Sequence, residues 1–204
     1  MSDFRTSLAR ACLVAGPALL AASTFFWTDG RSGPTGGTLL VLAMPLWTYG
    51  IVALLDGMRA TLPRYAAAVL LLTLFGAMGG AAFGFQGFFE SVHGMDKQAA
   101  LAALDEHPVT AGILLWGLGP LFPAALFTLG AGLLRTRQLP RAAALLMCAG
   151  GLLFPLSRIP RLEWVAHLVD LVLLLPFLVA ALGNFATTGK TELHEAQGRT
   201  SPAS

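Results

Sequence analysis

Charge is what this chain has least of. Only 12% of its 204 residues are charged against 55% hydrophobic, and mean hydropathy is +0.70. That balance excludes an ordinary water-soluble domain, which needs a charged surface around one core. Cysteine is nearly missing too. Cys12 and Cys148 both fall inside apolar runs, so a disulfide framework is excluded, and no C-x-x-C spacing offers a metal site. They read as small apolar packing residues. The net charge of +2 gives no electrostatic footprint for nucleic acid. No phosphate-binding loop and no dinucleotide fingerprint occurs. Ser91 and Ser157 sit in no Gly-x-Ser-x-Gly turn, which argues against a nucleophile elbow. Alternation of apolar and polar residues is absent as well, and with it the pattern of a membrane β-barrel.

What is present is six apolar runs with the charges swept between them: residues 8–27, 39–55, 65–89, 109–134, 142–156 and 164–182. Runs of about 18 to 25 uncharged residues predict membrane-spanning helices, because hydrocarbon leaves the backbone no partner but itself. The expected fold is therefore all-α, a polytopic membrane protein built as a bundle of six transmembrane helices over residues 1–186. A polar tail, 187–204, is expected to be disordered in the cytoplasm. The first run follows Arg5 and Arg10 like a signal peptide. It continues past Ala21-Ala22-Ser23 into Phe25, Phe26 and Trp27, so a retained helix is expected. The fifth run is short, and Arg141 and Arg158 bracket it where their stems can snorkel to the interfaces.

Alternate gaps share a side of the membrane. One side collects Arg5, Arg10, Arg59, Arg64, Arg135, Arg137, Arg141, Lys190 and Arg199; the other holds Arg31, Lys97, Arg158 and Arg161. Nine against four places both termini in the cytoplasm. The basic inner loops are first of all this topology signal, and a lipid-headgroup site there is the weaker reading.

The gap 28–38 is rich in Gly, Ser, Thr and Pro and predicts an external loop. Between the third and fourth runs, residues 97–106 favour a short helix. Gly76, Gly80 and Gly84 give the third helix a smooth face, suited to packing within the chain or to a homo-oligomer. Trp116-Gly117-Leu118-Gly119-Pro120-Leu121-Phe122-Pro123 should kink or unwind the fourth helix. Pro176 falls near the middle of the sixth. Interrupted helices serve substrate sites in transporters, although prolines also merely bend membrane helices. Leu62-Pro63-Arg64 and Leu139-Pro140-Arg141 both open a helix after a basic turn. They suggest either duplicated hairpins or the shared demands of a helix start.

Chemistry concentrates toward the outer side. Glu163, His167 and Asp170 are spaced i, i+4 and i+7, on one face of the last helix, which is expected to point into the bundle. Asp170 lies about 10 Å deeper than Glu163, by the helix rise. Glu90, His93 and Asp96, then Asp105, Glu106 and His107, and Arg158 with Arg161 map to the same side, with Gln86 one turn below Glu90. Three readings follow. In the structural one, hydrogen bonds among His167, Asp170 and Gln86 tie helices together, with Arg158 or Arg161 neutralising the acids. In the second, Glu90, His93, His107, Arg158, Arg161, Glu163, His167 and Asp170 line an outward-facing cavity. It would bind or transport a small solute or a lipid headgroup without chemistry, and proton coupling through Asp170 and His167 would make it a transporter. In the third, His93, His167 and Asp170 hold zinc in an intramembrane hydrolase, with Glu90 or Glu163 as base. The paired His-x-x-x-His set is missing for that, and no second histidine matches the depth of His167 for haem. The non-enzymatic cavity without cofactor is the working expectation.

The basic start from Arg5 to Arg10, the turn Leu133-Leu134-Arg135-Thr136-Arg137-Gln138-Leu139-Pro140-Arg141 and the following Ala149-Gly150-Gly151-Leu152-Leu153-Phe154 resemble small six-span proteins of the bacterial inner membrane. The resemblance spans most of the chain. It implies an integral membrane protein and brings no activity and no functional residues.

Overall fold

The structure, a computed structural model, describes residues 2–28, 31–158 and 162–183. It is helical almost throughout. In chain order come α1 (Ser2–Thr24), a hairpin of β1 (Trp27–Thr28) and β2 (Arg31–Ser32), α2 (Pro34–Arg59) and α3 (Pro63–Val92). Then follow α4 (Lys97–Asp105), α5 (Pro108–Ala111), a π-helical segment (Gly112–Gly117), α6 (Leu121–Thr136), α7 (Arg141–Arg158) and α8 (Glu163–Leu182). Five stretches are long and apolar enough to cross a membrane: Phe4–Thr24, Pro34–Arg59, Pro63–Val92, Pro108–Thr136 and Glu163–Leu182. The chain is thus a helical protein of the multi-pass membrane type. The sixth expected run is a helix as well, α7, long enough at 18 residues but, with an arginine at each end, not among the five that are also apolar enough.

Helices overrun the apolar runs because caps, rather than hydropathy, end them. Pro34 opens α2 and Pro63 opens α3, each in the first turn, where a missing N–H costs nothing. The expected loop 28–38 is therefore corrected: the strands pair Trp27 with Ser32 and Thr28 with Arg31, and α2 starts already at Pro34. Gly37 belongs to that first turn, and a Cβ there would stand 2.5 Å from the Gly84 carbonyl. Asp96 caps α4, its Oδ1 accepting from the Ala99 N–H at 2.8 Å. The fourth run breaks where the sequence places the break. Leu118 N–H reaches back to Ile113 O, a π-type bond, and Pro120 ends the segment before α6 restarts. By contrast, Pro176 lies buried inside an unbroken α8.

The six long helices close into a ring in the order α1, α2, α3, α6, α7, α8, with α8 returning to α1. The centre is filled. Trp47 of α2 is fully buried, with the rings of Phe122 (α6) and Phe177 (α8) each 5.0 Å from it, edge to face. Each such pair is worth about 0.5–1.5 kcal/mol beyond burial. Gly76, Gly80 and Gly84 meet neighbours of the same chain: Phe122, Met44 Sδ and the Gly37 carbonyl. Outside, Leu71, Leu74, Phe75, Met78, Leu145, Leu152, Leu171 and Leu175 are exposed, the apolar jacket expected against lipid tails.

Polar ties mark the two ends. At one, Asp56 of α2 takes Arg59 at 2.8 Å and Arg5 of α1 at 3.3 Å, while Arg10 Nη2 donates to Gly183 O beyond α8. At the other lie the hairpin strands, the α3–α4 link, the end of α7 and the start of α8. There Arg31 Nη1 donates to Met95 O at 2.9 Å.

Candidate functional site

The polar group of the hairpin end is built by three helix ends. Arg158 is the last residue of α7, Thr24 the last of α1, and His167 and Asp170 lie in the first turns of α8. The α7–α8 hairpin is antiparallel, so the Arg158 side chain folds back onto the neighbouring helix. Its Nη2 donates to Asp170 Oδ1 at 2.6 Å. The Asp170 side chain is 0% exposed and that of Arg158 20%. A short, charge-assisted bond is the form in which an acid can remain among apolar helices. The guanidinium carbon also stands 5.0 Å from the Trp27 ring centre and 4.8 Å from that of Phe154. Both aromatics stand within cation–π reach and help to hold the cation in place.

Beside the pair, His167 Nδ1 is 2.9 Å from Thr24 Oγ1, which also contacts Ala21 O at 2.8 Å. The hydroxyl has one hydrogen. When it goes to the Ala21 carbonyl, Nδ1 must carry the hydrogen of the imidazole–hydroxyl bond, which leaves Nε2 as the acceptor of a neutral ring. Phe25 stacks on the imidazole at 4.1 Å and 14°. Among the described residues, Arg158 Nη1 and Asp170 Oδ2 are buried and have no hydrogen-bond partner. One is a donor and the other an acceptor, on the two members of a single ion pair. A small molecule carrying an acceptor next to a donor would satisfy both.

Of the eight residues expected to line one cavity, the structure gathers Arg158, His167 and Asp170. Glu90 is bound instead by Gln86 Nε2, at 2.6 Å on its own helix. His93 is exposed, its ring 6.4 Å from Phe89. His107 is exposed at the N-cap of α5, and Glu163 is exposed in the first turn of α8. Glu163 therefore lies at the uncovered end of the face that carries Asp170, and the stripe runs from solvent to core along its length. Arg161 lies outside the described residues, as do Lys190, His194 and Arg199. The ring order explains the separation: α3 stands across from α8, so side chains at its end are remote from Asp170. Among the described residues no three His, Cys, Asp or Glu side chains gather closely enough to hold a metal ion.

Thr24, Phe25, Trp27 and Phe154 are members of the site that the sequence did not single out. Trp27 and Phe25 carried a signal, as aromatics at the outer end of an apolar run. Thr24 carried none. Comparison with known proteins gives no match to any family model, curated protein sequence or solved structure.

Proposed function

We propose that this chain is a six-crossing protein of the cytoplasmic membrane that binds a small polar solute or lipid headgroup at Arg158, His167 and Asp170, near its outer face. The observation that carries this reading is the buried ion pair in which each partner keeps one polar atom without a described partner. An ionisable group at membrane depth is costly, and its default reading is a functional site. His167 is half-buried behind the exposed Phe25. Its stacked ring is the side on which a solute would approach.

Two further observations support the topology. At 1.5 Å per residue α7 is about 27 Å long, close to the hydrocarbon thickness of about 30 Å, and arginines stand at both its ends. Counting it gives an even number of crossings and puts both termini on the arginine-rich side, which is the cytoplasmic one by the basic-residue rule.

A structural role is favoured by one specific observation, the closure of protein around Asp170. The zinc hydrolase would need His93, His167 and Asp170 drawn together, and no observation favours it. The test is access to His167. In a chain with Cys12 and Cys148 replaced by serine, His167→Cys is labelled with a membrane-impermeant thiol reagent in right-side-out vesicles. Labelling from outside that glycine, acetate or glycerol slows is the expected result. Labelling only from inside, or labelling that none of the three slows, leaves the structural role in its place.

A further inference from the structure

The arginine-rich end, opposite the site above, is not uniform. Around α1, α2 and α8 the positive charge is answered: Arg5 and Arg59 on Asp56, Arg10 on the Gly183 carbonyl. Around α3, α6 and α7 it is not. Arg64, Arg135, Arg137 and Arg141 are exposed and form no ion pair with a described residue. Asp56 is the one acid at this end whose side chain is described.

We propose that these four arginines form a receptor for the phosphodiester headgroup of an anionic phospholipid. Their grouping is built into the packing. Tyr65 Oη donates to Thr128 O at 2.6 Å, and its ring lies against Gly132, so the start of α3 runs beside the last turns of α6. Arg64 is thereby brought level with Arg135. The link to α7 is pinned: Gln138 covers Gly57, and Leu139 is buried. Arg141 then opens α7. Arg137, between them, has φ 55 and ψ 30 and is the one non-glycine residue at positive φ among the described residues. Glycine fills this C-terminal position without strain. What glycine cannot supply is the guanidinium, which identifies the charge as the reason for arginine there. Helices that cross a bilayer end at headgroup depth, so the nearest abundant anion is the singly charged lipid phosphodiester, whose two free oxygens arginine forks fit with paired hydrogen bonds. The opposite half of the same end lacks this capacity because Asp56 already occupies its arginines.

Native mass spectrometry of the full-length protein in detergent, titrated with dioleoylphosphatidylglycerol or dioleoylphosphatidylcholine, counts bound lipid. The anionic lipid should bind preferentially, and R135Q/R141Q should weaken it about fivefold per arginine. R5Q/R59Q removes the same formal charge from the other half and should leave binding unchanged. R137G should melt no lower than the parent protein yet bind the anionic lipid less tightly, which separates recognition from folding. Equal losses in R135Q/R141Q and R5Q/R59Q, no preference between the two lipids, or equal competition by soluble glycerol 3-phosphate would each overturn the proposal.

Discussion

A guanidinium and a carboxylate 2.6 Å apart, one of them fully enclosed, hold α7 to α8 more specifically than any apolar contact between them. Asp170→Asn leaves the Arg158 charge partly buried without its counter-ion, which should cost about 3 kcal/mol of stability. The low end of the usual range applies because Arg158, 20% exposed, can swing toward the headgroups. Replacing both members, Arg158→Met with Asp170→Leu, should be neutral or stabilising, since the desolvation of two charges disappears with them. Unfolding titrations in mixed micelles check both; an Asp170→Asn variant as stable as the parent would show that the pair does not hold the helices. The need for a counter-ion was legible in the sequence, because an acid in the last apolar run demands a cation, but the sequence offered Arg158 or Arg161 and did not choose between them. The Thr24–His167 bond was not legible. It joins residues 143 positions apart, and nothing in a threonine at a helix end announces its partner.

Elements were legible in proportion to how local their causes are. Apolar length and flanking prolines predict helices, and the Gly-Pro cluster predicts the break before α6. The two-residue strands were missed because so short a pairing depends on the α1–α2 turn rather than on any β pattern. The glycine stripe of α3 reads as a packing face from sequence, but which helix it faces follows only from the ring. Gly76 fits directly against the backbone of Phe122, where α6 begins. Gly76→Ala should therefore cost about 1–3 kcal/mol, because backbone on both sides has to move. Gly112, with nothing within 4 Å of a Cβ, should accept alanine within about 0.5 kcal/mol. Melting temperatures of the two variants in one detergent make the comparison, and equal losses would contradict the packing described for α3 and α6.

At the scale of the whole molecule, parity is the sharpest statement available. Six crossings put the amino and carboxyl ends on one side; five put them on opposite sides. Reporter fusions active only in the cytoplasm or only in the periplasm, placed at each terminus, should agree with each other and report the cytoplasm. Disagreement between them would remove α7 from the crossings and turn the arginine-rich end into something other than an inner face. Of the eight residues expected from sequence to line an outer cavity, Arg158, His167 and Asp170 lie on neighbouring helices of the ring, Glu90 and His93 lie on or just after α3, and Arg161 lies outside the described residues. Membership of one side of the membrane says nothing about position around a ring, and α3 ends opposite α8.

Trp47, wedged between Phe122 and Phe177, has a consequence for any traffic through the protein. With an indole filling the middle, the described helices meet there on side chains, and the Arg158–Asp170 pair lies to one side of that plug, at the hairpin end. A solute passing this level would have to displace Trp47 from Phe122 or Phe177 and break an edge-to-face contact. Among the described residues the packing at mid-height is that of a plug held by two ring contacts.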